Sequence, residues 1–258
     1  VAKRSDVILA AVGEPAWMTG EASSRTSLDI PQPQKRLLEA MVKTGKPVVL
    51  LLFSGRPMTL GWEDANMAAI LDVWYGGSEA ADAIVDVVYG KVNPSAKMSM
   101  TIPRGSGQIG VYYNYKPSHY FHKYLDQNPY PLYHFGYGLS YTSFEISEPV
   151  LSSDTMTSSE EITVSVNIKN TGKYTGTETL QMYINDVSAS VCRPVKELKG
   201  YKKITLAPNE EAKAEFKITE DELKFHTQSG KFEAEKGLFR VFVGSSSLVN
   251  DFKEFKLV

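Results

Sequence analysis

Apolar positions follow two rhythms along the chain. Up to residue 103 they come as apolar stretches of strand length: VILAAV (7–12), VVLLLF (48–53) and AAILDVWY (68–75). A last short strand is expected in MSMTIP (98–103). Between the runs the spacing changes to threes and fours. Leu37, Leu38, Met41 and Val42 share one face of a helix over 32–44, with Gly45 as its stop. Ala80, Ala83, Ile84, Val87 and Val88 mark a second helix over 78–89, and WEDANM (62–67) reads as a short one. SGRP after the second run and the glycine pair 76–77 after the third read as turns; no phosphate-binding glycine spacing surrounds them. Strands apolar on both faces, alternating with amphipathic helices, predict an α/β three-layer domain whose mostly parallel sheet is covered on both sides.

From Phe144 onward the period is two. Ile162, Val164, Val166 and Ile168 define one strand, and Leu180, Met182 and Ile184 another. Ala212, Ala214, Phe216 and Ile218 make a third, and Phe239, Val241 and Val243 a fourth. With turn signals at NTGKYTG, APNE and QSGK, about seven short strands fit in roughly 110 residues, the pattern of an all-β immunoglobulin or fibronectin type III-like sandwich. The stretch between the rhythms, 104–144, is rich in Tyr, Pro, Gly and His and nearly aperiodic, so it is expected to be functional or connective. The expected organisation is an α/β sandwich domain over 1–117, a linker over 118–144 and a β-sandwich over 145–258.

Composition narrows the chemistry. A net charge of −2 with the signs interspersed leaves no basic stripe for nucleic acid. The longest apolar run, 48–53, is far too short to span a bilayer. The single cysteine, Cys192, removes any internal disulfide and any cysteine-based zinc site. His119 and His122 stand three apart, but no carboxylate or cysteine cluster accompanies them, so neither a metal nor another cofactor is expected. The opening VAKRSD reads as the tail of a helix cut midway, and a truncated N-terminus is expected.

In a parallel sheet ligands gather at the loops leaving the strand C-termini. GEPAWMTGEASSRT (13–26) leaves the first run in this way, and SGRP leaves the second. The longer loop holds two carboxylates, Glu14 and Glu21, together with Trp17, Met18 and Arg25. From spacing alone, Glu21 reads as a solvated loop residue.

Several stretches resemble glycoside hydrolase family 3 enzymes of the β-glucosidase type. PLYHFGYGLSYTSF (131–144) is similar to the segment joining that family's second and third domains. GKPVVLLLFSGRPMTL (45–60), WYGGSEAADAIVDVVYGKVNPSAKMSMTIPR (74–104) and GQIGVYYNYKP (107–117) are similar to its second domain. NTGKYTGTETLQMYIND (170–186) and RPVKELKGYKKI (193–204) resemble its C-terminal fibronectin type III-like domain. The likeness covers nearly the whole chain in the family's order; one departure is AKMSM (96–100) where the family usually has GRLP. It implies a longer enzyme whose N-terminal (β/α)₈ barrel carries an aspartate nucleophile before a tryptophan, and no Asp-Trp pair occurs in this chain.

The resemblance implies a retaining β-glycosidase, an exo-acting β-glucosidase on β-linked gluco-oligosaccharides, with a bacterial periplasmic or secreted location. Such enzymes pair a nucleophile with a proton donor. The stretch GEASSRT aligns with the family's acid loop, which makes Glu21 the candidate acid/base and Glu14 the alternative. Glu14 also reads as a sugar-hydroxyl ligand or as a structural partner of Arg25. An arginine beside the acid would favour its ionised form, so Arg25 is expected to turn away, towards Glu14 or Asp29, and hold the loop in shape. Trp17 is a candidate for stacking on a sugar ring and Met18 for lining the same wall; either also reads as loop core. Arg56 in SGRP is expected to be structural, against the barrel or the linker. Without its barrel partner the chain is expected to be inactive alone. A different class stays open, a non-catalytic carbohydrate-binding or adhesion module. That reading needs aromatic platforms but no reserved proton donor.

Overall fold

The structure, a computed structural model, describes residues 2–117 and 123–258. Two compact units emerge: one of Val1–Val92, Thr101–Val111 and His122–Tyr133, the other of Asn93–Met100, Tyr112–Phe121 and His134–Val258.

The first unit is an α/β fold on a parallel sheet, as the apolar runs predict. Its elements are β1 (Ile8–Gly13), α1 (Gln32–Val42), β2 (Val48–Phe53), α2 (Gly61–Asn66), β3 (Ala69–Asp72) and α3 (Ala80–Val88). The strands lie side by side in the order β1-β2-β3, all parallel, with Ile8 opposite Val48 and Leu52 opposite Asp72. Pro33 sits in the first turn of α1, where a missing N–H costs nothing, and Gly45 just beyond the helix takes φ +74°. Leu38 of α1 is fully buried with Ile8, Ala10 and Val12 of β1 and with Val48, Leu50 and Leu52 of β2. The alternate positions of β1 are open; Leu9 is 46% exposed. MSMTIP does not form the expected strand. Among the described residues its one β-bridge is the isolated antiparallel pair of Ile102 with Tyr133, and Pro103 behind it offers no N–H to extend a ladder.

The second unit is a mostly antiparallel sandwich. Its strands are β4 (Phe144–Ile146), β5 (Val150–Leu151), β6 (Thr155–Met156), β7 (Ile162–Asn170), β8 (Gly176–Asp186), β9 (Glu197–Leu206) and β10 (Glu211–Ile218), then, after the short helix α4 (Glu220–Leu223), β11 (Phe225–His226), β12 (Phe232–Glu233), β13 (Gly237–Gly244) and β14 (Phe252–Leu257). One sheet runs β10-β7-β4 with β5 also on β7, a second runs β6-β14-β13-β8-β9, and β11 and β12 pair in a small third. The alternating residues that signalled the strands, among them Val164, Val166, Leu180, Met182, Phe216 and Val241, form its core. Asn170, fully buried at the end of β7, donates to the carbonyls of Tyr174 (2.7 Å) and Leu206 (2.9 Å) and accepts from Thr142 Oγ1 (2.6 Å) and the Gly172 N–H (3.0 Å). Every hydrogen-bonding position of that amide oxygen and nitrogen is used.

Among the described residues no helix is long and apolar enough to cross a membrane, and no group of three His, Cys, Asp or Glu is placed to hold a metal. His119 and His122 lie outside the described residues.

Candidate active site at the C-terminal rim of the parallel sheet

The loop after β1 and the turn after β2 start from neighbouring strand ends, because Gly13 pairs with Phe53. The Glu14 N–H donates to the Phe53 carbonyl at 2.8 Å. Gly13 has φ +146°, and a Cβ there would fall 1.8 Å from the Phe53 oxygen, so only glycine permits this close approach. Gln34 of α1 holds the same junction, donating to the Gly13 carbonyl (2.9 Å) and accepting from its N–H (2.7 Å).

Glu14 then turns inward and is 4% exposed. Both of its oxygens are taken: Arg25 Nη1 donates to Oε1 at 2.7 Å and Arg56 Nε donates to Oε2 at 3.0 Å. Charge-assisted pairs of this kind are the strong members of their class. Arg25 also donates to the Asp29 carbonyl (3.0 Å), so it does turn towards Glu14 and Asp29. Beyond it, the Asp29 carboxylate accepts from Thr59 Oγ1, and the Thr59 N–H donates to the Leu28 carbonyl at 3.0 Å, fastening the far end of the loop.

Arg56 does more than pair with Glu14. Its Nη2 donates to the carbonyls of Met18 (2.7 Å) and Ser23 (2.9 Å). These carbonyls flank a turn closed by the Ser23 N–H on the Gly20 carbonyl at 3.2 Å. Glu21 occupies the second position of this turn and Ala22 the third, with φ +62°. A positive φ at the third position is the requirement of a type II turn, usually met by glycine, and a non-glycine residue there is uncommon. Glu21 is exposed and makes no hydrogen bond or ion pair among the described residues.

The aromatic candidate Trp17 lies on a single 3₁₀ turn, Ala16–Met18, and is 75% exposed, so it is not loop core. Met18 is half-buried, and its carbonyl is one of the two held by Arg56. The third strand contributes Tyr75. A Cβ on Gly55 would lie 2.4 Å from Thr19 Oγ1 and 2.7 Å from Cε2 of Tyr75, so these side chains close over a glycine that leaves them room. Trp74, just before, takes φ +54°, a left-handed conformation that non-glycine residues seldom adopt. At the end of β3, burial pushes the Asp72 carboxyl up to about 6, against the lowering effect of the Trp74 backbone N–H; its Oδ1 is buried without a hydrogen-bond partner among the described residues.

Chemically, the rim holds one carboxylate locked between two cations and, on a turn of the same loop, one carboxylate without a partner among the described residues; the loop also carries an exposed indole. Sequence reasoning brought out Glu14, Glu21, Trp17 and Arg25. It expected Arg56 to be structural but aimed it at other parts of the protein. The available signal was the sheet itself: parallel neighbours deliver their following loops to the same rim.

Comparison with known proteins agrees with this architecture. The model of the glycosyl hydrolase family 3 C-terminal domain matches residues 1–141, and that of a fibronectin type III-like domain matches residues 178–247. The chain belongs to glycoside hydrolase family 3. A periplasmic β-glucosidase of Salmonella typhimurium is 48% identical, with 95% of this chain and 34% of the relative aligned. A β-xylosidase of Formosa agariphila is 42% identical over 99% of this chain and 36% of its own length. A crystal structure of a β-glucosidase from Listeria innocua in complex with glucose superposes with a TM-score of 0.93 at 38% identity, covering 99% of this chain and 37% of that one. The chain therefore spans about a third of the length of the relatives it matches.

Proposed function

We propose that this chain is the acid/base-bearing part of a retaining β-glycosidase, an exo-acting β-glucosidase on β-linked gluco-oligosaccharides, with Glu21 as the proton donor. The observation that carries the assignment is the contrast between the two glutamates. Glu14 is buried with both oxygens bound by arginines, whereas Glu21 is exposed, without a partner among the described residues, and presented on a fixed turn. The nucleophile, an aspartate, belongs to the barrel of the longer protein. In the first step that aspartate attacks the anomeric carbon while Glu21 delivers its proton to the departing glycosidic oxygen. In the second, Glu21 as carboxylate takes a proton from water as the water oxygen bonds to the anomeric carbon and the carbon–aspartate bond breaks, releasing the sugar with its configuration retained. Retention asks for the two carboxyl groups about 5–5.5 Å apart. Trp17, and Met18 beside it, supply the wall against which the leaving sugar packs.

Glucose is the preferred glycone because relatives named as β-glucosidases recur, including the Salmonella and Listeria proteins. The Formosa relative supports β-xylosidase as the second reading. The Salmonella name also supports a periplasmic or secreted location. The expected organisation stands as part of the proposal: catalytic loop in 1–117, linker in 118–144, and in 145–258 a sandwich that buttresses the enzyme.

The test is Glu21→Gln in the full-length enzyme. The expected loss in kcat/KM on a β-linked disaccharide is on the order of 10²–10⁴-fold, the usual worth of a general acid. With an activated aryl glycoside, added azide is expected to restore turnover and yield the β-glycosyl azide. Undiminished disaccharide hydrolysis by that variant, or appreciable turnover by residues 1–258 alone, would overturn the proposal.

A further inference from the structure

We infer that Arg56 is a positioning residue for the proton-transfer step, acting through the backbone that carries Glu21; this rests on the reading of Glu21 as acid/base. Glu21 has no partner of its own among the described residues, so its location is inherited from the turn on which it sits. That turn is pinned at both ends by one guanidinium nitrogen, Arg56 Nη2, at 2.7 Å from the Met18 carbonyl and 2.9 Å from that of Ser23. The guanidinium is itself aimed by Glu14 through Nε at 3.0 Å, and the Arg56 backbone is fixed by Ser54 Oγ, which donates to the Arg56 carbonyl at 2.9 Å. The chain of restraint runs from the end of β2 through Arg56 to both flanks of Glu21. Arg25 fastens the outer limb and touches neither flank. Planarity is essential to the device, because one rigid fork must reach a buried carboxylate and two carbonyls at set angles. A lysine ammonium, a point charge on a flexible stem, cannot reproduce it.

A general acid displaced by an ångström fails where the leaving group needs a proton and is hardly missed where it does not. Kinetics on two substrates therefore separates misplacement of Glu21 from general damage. In the full-length enzyme, Arg56→Lys and Arg56→Ala are measured on a β-linked disaccharide and on the 2,4-dinitrophenyl β-glycoside of the same sugar. Whichever of glucose or xylose turns over faster is used. For both variants kcat/KM on the disaccharide is expected to fall by about 10–100-fold, while the dinitrophenyl glycoside loses less than about threefold. Equal losses on the two substrates would mean that Arg56 only maintains the fold, and would overturn the inference. Arg56→Lys keeps a cation against Glu14, so the same two substrates decide the matter through it if Arg56→Ala is not recovered folded. Glu21→Gln, run alongside, keeps the two levels apart. If it shows the leaving-group split and the Arg56 variants do not, the positioning role alone is wrong. If it shows no split, the reading of Glu21 falls and this inference with it.

Discussion

One buried hub in each unit shows a different way of satisfying a polar group. At the rim of the parallel sheet a carboxylate, Glu14, is enclosed by two arginines that reach it from positions 25 and 56. In the sandwich a neutral amide, Asn170, is enclosed by a hydroxyl, an N–H and two carbonyls. A neutral hub fastens loops that need only stay in place. A charged hub ties loops whose tip carries a second charged group, and it occupies both arginines so that neither is left to neutralise Glu21. The contrast separates a scaffold, where apolar burial is the main support, from a rim where ion pairs set the shape.

Breaking each hub in its own terms tests this. The largest stability effect is expected from Glu14→Ala, which leaves Arg25 and Arg56 without their shared partner. Removing one member of a buried pair costs about 3–5 kcal/mol. Trypsin should then cut after Arg25 far faster than in the parent protein, while the sandwich resists as before. Unchanged cleavage would show that the loop does not depend on the buried charge.

Next is Leu180→Ala in the middle of β8, where the side chain is wholly buried. The cavity is expected to cost about 2–5 kcal/mol in denaturant unfolding of the sandwich. The ratio of kcat/KM between disaccharide and activated substrate should stay the same in the full-length enzyme. A shifted ratio would make the sandwich part of the chemistry.

The smallest effect concerns Asp72, whose carboxyl burial raises from 3.8 to about 6. Between those two values the folded chain keeps a proton that the unfolded chain has released, so stability falls as pH rises through the window. Asp72→Asn removes the penalty. It should raise stability at pH 7 by about 1–2 kcal/mol, allowing for the partial exposure of the group, with the gain vanishing below about pH 4. A gain that did not vary with pH would point to packing instead.

Much of this architecture was written in hydrophobic period. Runs of six apolar residues became β1 and β2, three-and-four spacing became α1 and α3, and alternation became β7, β8, β10 and β13. β9 was harder to read because it is a sheet edge: KELKGYKKITL places lysines along a strand with little buried surface, which blurs the alternation. MSMTIP misled because apolar content alone does not recruit a strand, and its one bridge joins it to the aperiodic stretch. At the site, the partners of Arg25 were legible since they lie within a dozen residues. The reach of Arg56 to Glu14, Met18 and Ser23 was not, because contacts across 42, 38 and 33 residues leave no mark on local spacing.

The bare α-carbon of Gly13 also decides where this loop is free to diversify. Any added methyl there collides with the carbonyl of Phe53, so the root of the loop admits a single amino acid. Ala16, Ser24 and Thr26 face solvent and carry no such restriction. Side-chain change is therefore tolerated where the loop meets water and not at its base: the loop turns on a fixed fulcrum at Gly13.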